Sequence, residues 1–167
     1  MGVDVRSDRG AVPTLAQIRG WDIDHLTSAA DAWTNTAQLW EDAVDDLVHP
    51  GACADRRRVR SLADELRSAS RVASCGASEL AGAKACVVQA IDKARTAGFR
   101  VREDLSVTDR FVCRSRAFQA VRQAEAQRHC ATIRRTAAVL AALDEDVAAK
   151  LTTVSAALRS ATTILQE

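Results

Sequence analysis

The stretch Val59–Ala94, VRSLADELRSASRVASCGASELAGAKACVVQAIDKA, decides the fold. Its small and apolar residues Val59, Leu62, Leu66, Ala69, Ala73, Gly76, Leu80, Ala83, Val87, Ala90 and Ala94 alternate three and four positions apart. That alternation is the seam of a helix packed along its length on other helices, not the period of a strand. Gly76 and Gly82 interrupt good helix formers, each at about 1 kcal/mol relative to Ala. They mark either a close helix approach or a bend. The pattern predicts a helix over about 55–97, stopped by Gly98.

Working outward, Leu26, Ala30, Trp33, Ala37, Trp40, Val44 and Leu47 repeat the same spacing upstream and predict a helix over about 22–48, ended by Pro50-Gly51. Downstream, Ile133, Ala137, Leu140, Leu143, Val147, Leu151, Val154, Leu158, Ala161 and Leu165 predict a third helix over about 114–164. Thr14, Leu15, Ile18 and Gly20 read as a short helical turn, capped by Thr14 and closed by Gly20. Residues 98–113 lose the helical period. Phe99, Val101, Leu105 and Val107 there suggest an extended connection held by its apolar side chains, with Asp109 or Ser115 capping the next helix. Residues 1–13 read as a flexible arm. The expected fold is all-α: residues 14–167 form one antiparallel bundle of three long helices with coiled-coil-like heptad seams.

Composition agrees. The chain has 167 residues, 47% hydrophobic and 4% aromatic, with seven Gly, two Pro and no Tyr. A β-sandwich would need many more turn residues. The net charge of +1 singles out neither nucleic acid nor membrane. No apolar run is long enough for a transmembrane helix, and the polar first ten residues predict no cleaved secretory signal. The protein is expected to be cytoplasmic as made. Charge is partitioned by segment: residues 22–48 hold seven acids and no Lys or Arg, whereas 98–139 hold nine bases and four acids. Pairing between an acidic helix and two basic ones accounts for most of this within a single bundle.

Residues able to carry chemistry are sparse. No phosphate-binding loop, dinucleotide fingerprint or nucleophile elbow occurs. His25, His49 and His129 lie in separate segments, and neither His49 with Cys53 nor His129-Cys130 has a second half at metal-ligand spacing. No metal, cofactor or enzymatic activity is expected. Cys53, Cys75, Cys86, Cys113 and Cys130 are odd in number with no C-x-x-C pair, and read as reduced thiols. Arg56, Arg57, Arg58 and Arg60, with Arg114, Arg116, Arg122, Arg128, Arg134 and Arg135, could neutralise phosphates. They lack interleaved aromatic residues for base stacking, so the sequence favours a solvated or self-paired face. Trp33 and Trp40 lie one heptad apart, as core rings or as partner-facing anchors.

Ile18-Arg19-Gly20-Trp21-Asp22, Ala32-Trp33, Leu39-Trp40-Glu41-Asp42, Leu62-Ala63-Asp64-Glu65-Leu66-Arg67 and Ala97-Gly98-Phe99 through Asp109-Arg110 together resemble a family. The likeness is to the N-terminal helical domain of mycobacterial proteins linked to ESX (type VII) secretion, relatives of the small Trp-x-Gly (WXG) helical-hairpin proteins. It spans nearly the whole chain. In the WXG pattern a Trp-x-Gly turn joins two helices; here His49-Pro50-Gly51 keeps the Gly and replaces the Trp, a degenerate turn. Export in that family is associated with a Tyr-x-x-x-Asp/Glu signal, and this chain has no Tyr of its own to form one.

The resemblance implies a non-enzymatic helical interaction module whose partner is a WXG-type protein or a second copy. A rival reading is a nucleic-acid-associated bundle using the Arg-rich faces of the second and third long helices. A third is a degenerate copy without a partner. The second and third helices outrun the first, so a two-helix projection with an apolar seam of Val87, Ile91, Phe118 and Val121 is expected. The candidate partner-binding residues are therefore Trp33, Trp40, Ile91, Phe118, Arg122 and Arg128.

Overall fold

The structure is a computed structural model, which describes residues 12–45, 52–111 and 115–163. The chain is mostly helical. In order it runs α1 (Leu15–Arg19), α2 (Asp24–Asp45), α3 (Ala52–Thr96), β1 (Phe99–Val101), β2 (Val107–Asp109) and α4 (Arg116–Thr163). The three long helices fall where the seams place them. The arm up to Ala11, the turn at His49 and Gly51, and Cys113 lie outside the described residues.

Helix ends follow local chemistry. Thr14 caps α1 in a reciprocal box with Gln17, and the Gly20 N–H closes the turn on the Ala16 carbonyl at 3.0 Å. Asp22 stands just outside α2, its carboxylate accepting the Asp24 N–H at 2.9 Å; the helix therefore starts two residues later than its acidic run suggests. Gly98, at φ +86°, ends α3 in the left-handed region.

The segment after Gly98 is an antiparallel hairpin, pairing Phe99 with Asp109, Arg100 with Thr108 and Val101 with Val107. Asp109 thus belongs to β2 and does not cap α4. Leu105 turns the hairpin at φ +60°, a conformation that costs a non-glycine residue about 1–2 kcal/mol. Its side chain is fully buried, which returns about 2 kcal/mol. Asp104 steadies the same turn by accepting from the Ser106 N–H and hydroxyl, which holds its carboxyl below the ordinary range.

Packing divides the chain into two compact units. The first combines the described residues up to Trp21 with Gly82–Ala142. Its core contains Leu15 and Ile18 of α1, Val87, Ile91 and Ala94 of α3, Phe99, Val101 and Leu105 of the hairpin, and Ile133, Ala137 and Leu140 of α4. An isolated two-stranded hairpin is marginal in water; three buried side chains fix this one. Helix α1 joins through Glu103, whose carbonyl accepts the Leu15 N–H at 3.0 Å and whose carboxylate accepts the Ala16 N–H at 2.9 Å. Lys84 donates to the Trp21 carbonyl at 2.6 Å.

The second unit holds Asp22–Ala81 and the chain from Leu143 onward. Its core is rich in Ala: Ala30, Ala37, Ala63, Ala69 and Ala73 are buried beside Leu26, Val44, Leu62, Leu66 and Leu80. Small residues let helix backbones approach. Ser70 is the buried polar exception, and its hydroxyl donates to the Ala30 carbonyl at 2.8 Å beside Thr34. Along α2 and α3 the partners run in opposite order, Thr34 with Ser70, Glu41 with Arg67 and Asp45 with Arg60, so these helices are antiparallel. From α4, Leu158 packs against the Ala37, Ala63 and Leu66 cluster, and Val147 lies over Gly76.

Candidate interaction surfaces

In the first unit, the chemistry centres on Arg122. The hairpin presents Asp109 toward α4, and Arg122 grips it with two prongs, Nε to Oδ2 at 2.8 Å and Nη2 to Oδ1 at 2.9 Å. Nη2 also donates to the Ala97 carbonyl just past α3 at 3.1 Å, and Nη1 to Glu125 at 3.1 Å. The guanidinium lies over the Phe99 ring at 3.9 Å. His129 tilts against the same Phe99 ring, with 5.3 Å between ring centroids.

Both charged side chains are largely covered, at 15% and 21% exposure. The guanidinium holds the Asp109 carboxyl down to about 2, and the carboxylate in turn raises Arg122. Gly98 completes the arrangement. A Cβ there would stand 2.8 Å from the Phe111 ring and 3.4 Å from Arg122 Nη2, at a backbone φ that side chains resist. This cluster is a latch: it ties the end of α3, the hairpin and α4 together. Arg122 therefore has few N–H groups left for an outside partner, which corrects its reading as an exposed contact residue.

The projection expected from helix lengths is corrected too. Val87 and Ile91 are buried in the first unit, Ile91 at 3% exposure, because α1 and the hairpin contribute to the same core. Phe118 and Val121, read as part of the same seam, instead face solvent at 53% and 60% exposure. Arg128 is exposed, and its Nε donates to the Ala124 carbonyl of its own helix. Among the described residues, Arg116, Arg128 and Arg135 have no carboxylate partner. These exposed positions form one face of α4: Ala117, Val121, Ala124, Arg128, Ala131 and Arg135 recur four and three apart, with Phe118 alongside.

In the second unit, α2 has two faces. Trp33 is half-buried against the Ala37, Ala63 and Leu66 cluster. Trp40, one heptad on, is 36% exposed. Leu39 is 66% exposed and was not singled out from the sequence. Its signal is in the sequence: Ala32, Thr36, Leu39 and Ala43 form a second helical stripe, about a third of a turn round the helix from the seam. The exposed Asp24, Asp31 and Asp42 lie on one side of it.

Helix α2 carries five acids and no Lys or Arg. Two are answered from α3: Glu41 by both prongs of Arg67, which lowers the Glu41 carboxyl, and Asp45 by Arg60 at 3.0 Å. Self-pairing thus accounts for part of the charge partition. Among the described residues Asp24, Asp31 and Asp42 have no cation partner.

No group of three or more His, Cys, Asp or Glu that could hold a metal ion occurs among the described residues. Nor is any described helix long and apolar enough to cross a membrane. Cys53, Cys75 and Cys86 are exposed free thiols, and Cys130 is half-buried with Sγ 3.5 Å from the Leu105 carbonyl.

No protein-family model and no solved structure matches the chain. It is similar to an uncharacterized protein of Mycobacterium bovis, 38% identical over 154 residues covering 83% of this chain and 48% of that one. Uncharacterized proteins of two Mycobacterium tuberculosis strains match to the same extent. The chain therefore spans about half the length of the curated relatives it matches.

Proposed function

We propose that this chain is a non-enzymatic helical protein–protein interaction module of the type VII (ESX) secretion-associated kind, acting by helix packing. Its architecture on this reading is an antiparallel bundle of three long helices with coiled-coil-like heptad seams. The reversed order of contacts along α2 and α3 and the burial of most seam positions support that architecture. The resemblance to WXG-type proteins supports the secretion setting, and the mycobacterial source of the relatives agrees with it only as to organism. On this reading the protein is made in the cytoplasm.

The single observation that carries the proposal is the two-faced α2. The seam side, with Ala30, Ala37 and Val44, is packed into a core and leaves Trp40 part-exposed at its edge, while a neighbouring stripe holds Leu39 exposed beside acids that have no cation partner among the described residues. An apolar stripe of this kind is what a helix-in-groove or helix-on-helix contact uses. The test is affinity capture from a mycobacterial lysate with the wild-type chain and with Leu39→Glu, both checked for equal helicity. Proteins held by the wild type and lost with the variant support the reading; identical retention by both refutes it. Nucleic acid is the second reading, favoured by the exposed, carboxylate-free Arg116, Arg128 and Arg135, and it requires duplex binding that falls steeply with salt.

A further inference from the structure

We infer that the α2 stripe is covered by a second copy of this chain, through the exposed face at the start of α4. This deepens the interaction reading above and rests on it.

The two faces are complementary. On α2, Ala32, Leu39 and Ala43 form an apolar strip about three turns long, with the exposed edge of Trp40 on its core side and Asp24, Asp31 and Asp42 on the other. On α4, Phe118, Val121, Ala117 and Ala124 form an apolar strip that continues into Arg128 and Arg135, with Arg116 at its start. Each strip is short, small-sided and anchored by one aromatic ring, a shape that suits helix-on-helix packing at close range. Their charges are opposite. Gly82–Ala142 holds twelve Lys and Arg against five Asp and Glu, whereas Asp22–Ala81 holds eleven acids against six bases. The whole chain is nearly neutral at +1, so two copies meet without net repulsion, and the attraction comes from the partition.

A nucleic acid would use the arginines but leave Leu39 and Trp40 uncovered and would be repelled by the acids of α2. A second copy uses both faces. In such a pair α2 of one protomer meets α4 of the other.

The closing experiment is sedimentation velocity of the full chain with a charge-swap design. The wild type is expected to self-associate at low salt and to weaken at least tenfold at high salt. Two variants are made, D31R/D42R on α2 and R128E/R135E on α4, all at exposed positions. Each alone is expected to be monomeric, because like charges then face each other. Mixed in equal amounts they should associate again, since α2 of one variant then faces α4 of the other with opposite charge. Neutral versions, D31N/D42N and R128Q/R135Q, replace any reversal that lowers helicity, and should weaken association without restoring it on mixing.

A monomeric wild type at all concentrations overturns the inference. So does a mixture that stays monomeric, or duplex DNA bound by a monomer and lost in R128E/R135E. If the wild type is monomeric yet still captures a partner through Leu39, only self-association fails and the interaction module stands. If neither occurs, both fail.

Discussion

Replacing each of two helix glycines by alanine should move stability in opposite directions. Helix propensity alone favours Ala over Gly by about 1 kcal/mol at both positions. At Gly82 nothing lies within 4 Å of the added Cβ, so Gly82→Ala should keep the whole gain. For a chain of this size that raises the melting temperature by about 2–4 °C. At Gly76 the added Cβ would stand 2.7 and 2.9 Å from the two Val147 methyl carbons.

Val147 is buried, and a β-branched side chain has one favoured rotamer in a helix, so its methyls cannot swing aside. Overpacking of this kind costs about 1–3 kcal/mol. Net of propensity, Gly76→Ala should destabilise by up to about 2 kcal/mol. Urea titration followed by far-UV circular dichroism measures both changes. Adding Val147→Ala should relieve the clash, giving a favourable coupling of about 1 kcal/mol in a double-mutant cycle. A Gly76→Ala protein stabilised as much as Gly82→Ala would refute the close approach of α3 and α4 at that point.

The latch has a pH signature. Asp109 is depressed to about 2, against about 3.9 for a free carboxyl. A lowered carboxylate contributes stability that is complete above its unfolded value and lost as pH falls through the folded one. Protection of the hairpin amides, taken relative to their intrinsic exchange rates, should therefore fall between about pH 4 and pH 2 in the wild type but not in Asp109→Asn, and equal profiles would count against the pair. Among the tryptophans, Trp33→Ala should cost about 3 kcal/mol, since the ring packs on the core cluster, and Trp40→Ala distinctly less; the reverse order in chemical denaturation would contradict the placement of α2. Thiol titration should show Cys53, Cys75 and Cys86 reacting fast in the folded protein and Cys130 slowly, with five thiols in denaturant. Fewer than five would reveal a disulfide.

The helices were legible because a three-four alternation sustained over many residues has one physical meaning, a buried stripe. Leu62, Leu66, Ala69, Ala73, Leu80, Val87, Ala90 and Ala94 of α3 are buried as the seam requires. The hairpin was not legible. Its strands are three residues each, too short for a period-two signal, and its turn uses Leu105 at positive φ where Gly or Asn would have announced it. The role of Arg122 was hidden for the same reason. Without the hairpin there was no Asp109 opposite it, and a helical arginine among other arginines reads as solvated. Ile91 and Phe118 shared a supposed seam because sequence spacing cannot tell that α1 and Phe99 fill the space around one and not the other. Leu39 stands out little in the sequence because its stripe neighbours, Ala32, Thr36 and Ala43, are small and give weak hydrophobic contrast beside the Leu and Trp of the seam.

The tie between α1 and Glu103 has a consequence for the order of assembly. The Arg122 latch closes over 13 residues from Asp109 and 25 from Ala97, whereas the Ala16 N–H reaches Glu103 across 87. The entropy of closing a flexible loop rises with its length, and contacts distant along the chain form late unless local ones have already paired the surfaces. The end of α3, the hairpin and the start of α4 are thus the natural nucleus of the first unit, onto which a five-residue helix docks at the end. By the same reasoning α1 is the element expected to detach first. Native-state exchange at Leu15 and Ala16 should therefore report opening at lower free energy than at Phe99 or Val101.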